Sequence, residues 1–327
     1  MSKENVVLKS QISLRRNLKN YKFLNTIEIE MASNCKKEII YALDEIGLLD
    51  DCLEYNYGDL PTSKQEMLKS SALVADYEYE DIKPYIIVDK DKSTSVTINS
   101  DSHIQLVKAQ IGLSLKELYD QVMDLERKLD KRLQFAFSDK LGYLTEDIDI
   151  SGSLMDFAVI LNLKALKKAN KLAEIENVLN LRGYILEAIY KKDPNNGLYL
   201  IRNAGDIYNP DYTIEDVTNI INKIVEKEED ERSKLIHSES TDLKDELLRS
   251  IGMLKYSRVI DEAEAMTALS NLLVATDLGI EDYKAQDIID LMDKCRRINL
   301  MEYRDRKKLT QNLGVLRSEL IREFLEG

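Results

Sequence analysis

The chain has no tryptophan, two histidines, three cysteines and four prolines in 327 residues. The cysteines, Cys35, Cys52 and Cys295, lie far apart with no C-x-x-C spacing. That excludes a disulfide framework or a zinc ribbon, and a reduced, cytoplasmic chain is expected. His237 has no nucleophile pattern beside it, and no phosphate-binding loop, G-x-G-x-x-G or G-x-S-x-G motif occurs, so other enzyme classes have no support. No apolar run approaches the roughly 18 residues a spanning helix needs, and MSKENVV carries no apolar segment behind a basic start. Neither a membrane span nor a signal peptide is expected. Positive charge is short as well, with 46 Lys and Arg against 59 Asp and Glu, a net −13. This argues against nucleic acid or an anionic membrane as the main partner, since both need a basic surface. It also works against a free nucleotide unless a local basic pocket overrides the field.

What is present is a core-forming, charge-rich composition, 44% hydrophobic and 32% charged, of the helix-rich globular kind. The length allows one large or two ordinary domains. Residues 6–8 suit a strand, and 84–98 reads as two strands around DKDKS. Helical spacing covers 29–48 and 63–75, and one long helix or helix pair is read over 103–133. A strand over 157–163 precedes a helix over 164–180. Residues 184–190 and 198–202 suggest a hairpin, because KKDPNNG between them has turn chemistry. A helix over 213–236, with Thr213 as N-cap and Asp216 completing a capping box, ends near 238–242. Beyond it lie helices over 243–256, 261–276, 284–295 and 303–325. The fold class is therefore α+β, with domains at 1–238 and 239–327. EKEEDER (226–232) reads as a solvated helix face. Tyr55, Tyr57, Tyr77, Tyr79 and Tyr85 suit either an interface or the edge of a core.

Five segments, in order, resemble one family. VVLKSQISLRRNL (6–18) is similar to a run close to V-V-I-S-S-R-I-R-L-A-R-N-L that opens the catalytic domain of the phosphagen (guanidino) kinases. SVTINSDSHIQL (95–106) is similar to S-I-x-I-N-E-E-D-H-L-R-I, and FAFSDKLGYLT (135–145) to Y-A-F-D-E-K-L-G-Y-L-T. LIRNAGDI (200–207) lies near an I-S-N segment. Residues 247–280 look like the helical tail of the bacterial protein-arginine kinases. The chain is thus identified, by resemblance, with the ATP:guanido phosphotransferases. That implies an antiparallel sheet flanked by helices, then an all-helical C-terminal domain, with ATP and Mg²⁺ as the family's cofactors.

The resemblance fails where the chemistry sits. Arginines hold nucleotide phosphates in that family, through bidentate charge-assisted bonds. Their positions here are Gln11, Ser13, Gln105, Asp156 and Glu187. The reactive-loop cysteine corresponds to Asp147, and the flap glutamate falls near Lys192 or Asp193. Of the paired glutamates, the first is Ser100 and the second Asp101, while His103 is kept. The Arg-Asp pair that binds phosphoarginine corresponds to Leu313 and Gly314, although Arg304 and Asp305 also form an R-D pair one helix earlier.

Asp101, His103 and Asp147 are remnant positions. The first two read either as a remnant guanidinium site or as hydrogen-bonded strand-end residues. The acidic group Asp147, Asp149 and Asp156 reads as a solvated loop rather than a metal site, and Glu146 with Asp147 has the further reading of a client arginine site. No catalytic residue, metal, ATP or Mg²⁺ is expected. The reading is a pseudokinase with a regulatory or scaffolding role. Its partners would be proteins: a homodimer, a heterodimer with an active arginine kinase paralogue, or a Clp-type ATPase or adaptor. The alternative is a diverged ATP-dependent protein-arginine or guanidino phosphotransferase whose remodelled site draws cations from Arg15, Arg16, Lys140 or Arg182. A phosphoarginine reader is a third reading, opposed by Leu313 and Gly314.

Overall fold

The computed structural model describes residues 5–62, 64–65, 81–193, 196–237 and 241–326. Among the described residues the strands are β1 (Val7–Arg16), β2 (Cys52–Asn56), β3 (Tyr85–Asp89), β4 (Thr94–Ile98), β5 (Ile104–Ile111), β6 (Phe137–Ser138), β7 (Gly142–Tyr143), β8 (Met155–Asn162), β9 (Tyr184–Ala188) and β10 (Leu198–Asn203). The helices are α1 (Ile29–Glu45), α2 (Leu115–Leu133), α3 (Lys164–Lys168), α4 (Leu172–Leu181) and α5 (Pro210–His237), then α6 (Thr241–Tyr256), α7 (Glu262–Asp277), α8 (Ala285–Cys295), α9 (Arg297–Lys307) and α10 (Leu313–Glu326). Eight strands form one sheet in the order β2-β3-β4-β5-β1-β8-β10-β9, every neighbour antiparallel. The expected architecture, an antiparallel sheet with flanking helices and then helices alone, is what folds.

Alternation fixes the two sides of this sheet. Ile12 and Leu14 of β1 are buried together with Ile104 and Leu106 of β5 and Phe157 and Val159 of β8. α2 covers this side with Leu115, Leu118, Val122, Leu125, Leu129 and Leu133, spaced three or four apart. The intervening residues, among them Gln11, Ser13, Arg15, Gln105 and Asp156, therefore point to the other side. One end of that second side is closed by helices, where Ile111 and Ile160 join the core of α6, α7, α8 and α10.

A buried ion network sits where the sheet meets these helices. Arg232 of α5 is fully buried; its Nε lies 2.8 Å from Glu228 and its guanidinium 2.6 Å from Asp277 of α7. It also donates to the Asn162 carbonyl at 2.9 Å. Glu228 accepts the Ala165 and Leu166 backbone N–H groups at 2.9 and 2.8 Å, satisfying the otherwise unpaired start of α3. Glu226, Lys227 and Asp230 of EKEEDER are solvated as expected, but Glu228, Glu231 and Arg232 are buried.

Several expectations change. Residues 103–133 are a strand and a helix: Ile104 and Leu106 bury alternately, and Gly112 turns the chain at φ +81° before α2 begins. The helix expected over 164–180 breaks at Asn170 (φ +56°) and that over 303–325 at Lys308 (φ +54°). Thr213 is not an N-cap, because α5 begins at Pro210 and Asn209 Oδ1 accepts the Tyr212 N–H at 3.2 Å. Asp216 instead binds Arg182 at 2.7 Å and Tyr184 at 3.0 Å. Most of the helix expected over 63–75 lies outside the described residues, as do Tyr77, Tyr79 and 238–240. Tyr55 and Tyr57 pack in a small cluster with Ile86, Met301 and Leu313, so core edge is their role.

Candidate functional site

The open part of the sheet's second side is the candidate site, and strand register places its residues. On β1, Ser13 lies opposite Val107 of β5 and Asp156 of β8, and Arg15 opposite Gln105. Gln11 lies opposite Ala158, which lies opposite Arg202 of β10. Glu187 of β9 faces Leu200. The five positions where the resemblance calls for arginine thus share one face over four adjacent strands and the next, β5. The chain brings them together, but without their cations.

Two arginines do reach this face, and both are held by carboxylates. Arg15 lies 3.5 Å from Asp101 and 3.3 Å from Asp156. Arg202 lies 2.6 Å from Glu187 and donates to the Asn203 carbonyl at 3.2 Å. Asn203 Nδ2 donates to Asp156 at 2.8 Å while its Oδ1 accepts the Phe157 N–H at 3.0 Å. These pairs are part-exposed, so each is worth only about 0.2–1 kcal/mol. An incoming phosphate must displace a carboxylate, and meets the repulsion of its like charge, before it gains a guanidinium.

Of the other candidate cations, Arg16 and Arg182 are committed elsewhere. Arg16 alternates to the helix side of β1, where it is almost fully buried. Its Nε lies 3.0 Å from the buried Glu126, its NH1 donates to the Arg15 and Ser153 carbonyls at 2.8 and 2.9 Å, and its guanidinium stacks 3.3 Å over the Tyr143 ring. Arg182 is bound to Asp216 at 2.7 Å, and Lys140 is exposed in the β6–β7 turn. The stretch most like the family pattern, FAFSDKLGYLT, is therefore a structural hairpin clasped by Arg16. Gly142 is required there: its φ is +78°, and a Cβ would stand 2.5 Å from the Gly152 carbonyl oxygen.

His103 is a strut, fully buried beneath the loop after β1. Its Nδ1 accepts the Leu18 N–H at 2.9 Å, so that nitrogen carries no proton, and its Nε2 donates to the Lys22 carbonyl at 3.0 Å. Burial lowers its pKa from 6.5 to about 4. Between those values the unfolded chain binds a proton that the folded chain refuses, so stability is full above pH 6.5 and falls as pH drops toward 4. The gap is worth roughly 3 kcal/mol. Urea unfolding should show His103→Asn less stable at pH 7, yet losing less than the parent chain between pH 7 and 5.5. Parallel losses would show that His103 does not titrate as placed.

Asp101 is exposed and lies beside Arg15 at 3.5 Å. Asp147 sits in an exposed loop, where its Oδ1 accepts the Asp149 N–H at 3.0 Å; it lies in a solvated turn. Asp193, near which the resemblance puts the flap glutamate, accepts a 2.6 Å hydrogen bond from Thr267 of α7. Among the described residues no group of three His, Cys, Asp or Glu side chains is placed to hold a metal ion. Cys35 and Cys295 are buried, which pushes their thiols up to about 12, so neither is a nucleophile at neutral pH. Among the described residues no helix is long and apolar enough to cross a membrane.

Leu313 and Gly314 open α10, capped by Asn312, whose Oδ1 accepts the Gly314 N–H at 2.8 Å. Leu313 packs in the cluster with Tyr57 and Met301. A Cβ on Gly314 would stand 2.9 Å from Val259 Cγ1 and 3.2 Å from the Ile260 carbonyl oxygen, so this place has no room for an acidic side chain. Gly314→Asp should cost about 1–3 kcal/mol in urea unfolding through overpacking, and an unchanged midpoint would contradict the close packing. Arg304 and Asp305, the neighbouring R-D pair, lie 3.7 Å apart on α9, where Asp305 also binds Lys64 at 2.9 Å.

Reading the sequence alone missed Arg202 and Asn203, although LIRNAGDI carries Arg where the I-S-N segment has Ser, and that difference was the available signal. It also missed Glu126, whose burial at α2's inner face is visible only once that helix is placed.

A family model described as ATP:guanido phosphotransferase, C-terminal catalytic domain, matches residues 34–231. One described as protein-arginine kinase McsB C-terminal domain matches 240–327. A protein-arginine kinase of Clostridium perfringens is 28% identical over 326 residues, covering 98% of this chain and 96% of its own. One of Staphylococcus epidermidis is 27% identical, covering 100% and 96%. Lombricine kinase superposes with TM-score 0.59 at 14% identity, over 69% of this chain and 67% of its own. The duplicated taurocyamine kinase of Schistosoma mansoni with bound transition-state-analogue components superposes with TM-score 0.57 at 20% identity, over 68% of this chain; the chain spans only 33% of that protein's length.

Proposed function

The chain belongs to the ATP:guanido phosphotransferase family, and from that premise we propose that it is a catalytically inactive protein-arginine kinase homologue that acts by protein–protein contact. The observation that carries this reading is the cleft: both arginines that reach the open face, Arg15 and Arg202, are bound by the chain's own carboxylates. Phosphoryl transfer of this kind depends on positioning and on neutralising phosphate charge. A cleft holding three carboxylates and two engaged guanidinium groups offers little of either. Asp156 and Glu187 repel a triphosphate, and Mg²⁺ would offset some of that repulsion without restoring the geometry.

A role follows by elimination of chemistry rather than loss of fold. The proposed partners are a second copy of the chain, an active arginine kinase paralogue, or a Clp-type ATPase or its adaptor, in a cytoplasmic setting. The remodelled-phosphotransferase reading draws on cations such as Arg15, Arg16, Lys140 or Arg182, and the pairings of Arg16 and Arg182 oppose their use. Incubation of the purified chain with Mg²⁺-ATP and an arginine-rich protein tests the reading by mass spectrometry. No phosphoarginine is expected beside an active protein-arginine kinase run in parallel, and its appearance would overturn the proposal.

A further inference from the structure

Two features of the cleft share one pattern. At Asp156 and Glu187 the resemblance calls for arginine. At Arg15 and Arg202 the corresponding runs, V-V-I-S-S-R-I-R-L-A-R-N-L and I-S-N, have alanine and serine. Each carboxylate that stands where the resemblance calls for arginine therefore pairs with an arginine that stands where the resemblance has a neutral residue. Both couples have the same geometry. Asp156 lies opposite Ser13 and pairs diagonally with Arg15, two residues on; Glu187 lies opposite Leu200 and pairs diagonally with Arg202, two residues on. Diagonal neighbours in a sheet are within reach of long side chains.

We propose that these exchanged couples form a brace that occupies the cleft from within, an autoinhibitory contact in which the chain's own carboxylates take the arginine-bound place a phosphate group would need. The inference rests on the inactive reading above and adds a mechanism to it. The brace is continuous: Asp101, after β4, holds Arg15 on β1; Arg15 holds Asp156 on β8; Asp156 holds Asn203 on β10; and Arg202, next to Asn203, holds Glu187 on β9. Strands that a bound anion would otherwise tie together are tied without one. Arg15 Nε is buried with no hydrogen-bond partner among the described residues, so one guanidinium donor stays in reserve when the couple is intact.

The test compares the parent chain with Asp156→Asn/Glu187→Gln and uses inorganic tripolyphosphate as the anion, read by thermal unfolding. The double variant is expected to melt a few degrees lower, roughly 2–4 °C. It is then expected to rise with millimolar tripolyphosphate, while the parent chain does not move. A control with the same charge change outside the couples, Asp139→Asn/Asp149→Asn, is expected to stay silent to the anion. If it responds as strongly as the double variant, net charge alone is at work and the proposal is overturned.

Silence in both the parent and the double variant overturns the brace as occupant while leaving the inactive reading intact. A response by the parent chain overturns both. The brace is tested separately by exchange. Arg15→Asp alone should lower the melting temperature, and adding Asp156→Arg should recover most of that loss. Absence of recovery would overturn the coupling.

Discussion

Arg232→Ala is expected to destabilise the chain by about 3–5 kcal/mol, the range for breaking a buried ion pair from one side. The guanidinium is fully buried, and each of its three nitrogens has a partner: Glu228 at 2.8 Å, Asp277 at 2.6 Å and the Asn162 carbonyl at 2.9 Å. Removing it leaves two carboxylates in the junction between sheet and helices. Glu228 cannot relax away, because it also caps the start of α3 through Ala165 and Leu166. The expected consequence is a lower urea midpoint together with loosening of the helices after residue 241, seen as faster amide exchange in α7. A loss below about 1 kcal/mol would mean that water reaches the site and that the junction is weaker than its geometry implies.

The second large effect concerns chemistry. The phosphoryl-transfer rate of this chain should lie at least ~1,000-fold below that of an active relative, since one well-placed arginine alone can be worth that much. The five positions where the resemblance calls for such groups hold Gln11, Ser13, Gln105, Asp156 and Glu187. A hydrogen bond to a charged group contributes roughly 1.5–3 kcal/mol, and groups acting as a unit are strongly non-additive. Restoring one position, as in Gln11→Arg or Glu187→Arg, should therefore leave phosphoarginine below detection. A single substitution that restored turnover would show that the cradle is intact apart from one charge.

The fold was legible because its signals are local and periodic. Alternation across 84–98 and the turn in KKDPNNG placed their hairpins, and four of the later helices were read close to their bounds. Beyond residue 8, β1 was not legible as a strand, because one side carries Gln11, Ser13 and Arg15 and the other ends on a buried arginine, so no simple apolar alternation marks it. Residues 104–111 were misread because Ile104, Val107 and Ile111 satisfy a helical spacing that strand pairing with β1 overrides.

The site was legible in a different way. The resemblance named five positions where its family has arginine, and strand register gathers those five residues on one face. Composition could not show that Asp156 and Glu187 find partners in Arg15 and Arg202, since those pairs join residues 141 and 15 positions apart in the chain. Arg15 and Arg16 look interchangeable in sequence, yet the pleat sends one to the cleft and the other beneath Tyr143. Of the two readings of His103, remnant guanidinium site or hydrogen-bonded strand-end residue, its two hydrogen bonds favour the second.

The central claim, that the cleft is filled by its own ion pairs and holds no nucleotide, is tested most directly by titrating the purified chain with Mg²⁺-ATP in a calorimeter, beside an active protein-arginine kinase. The account predicts no binding heat at millimolar nucleotide, while the control binds. Saturable binding by this chain would contradict it and would mean that a phosphate site has been rebuilt from other cations.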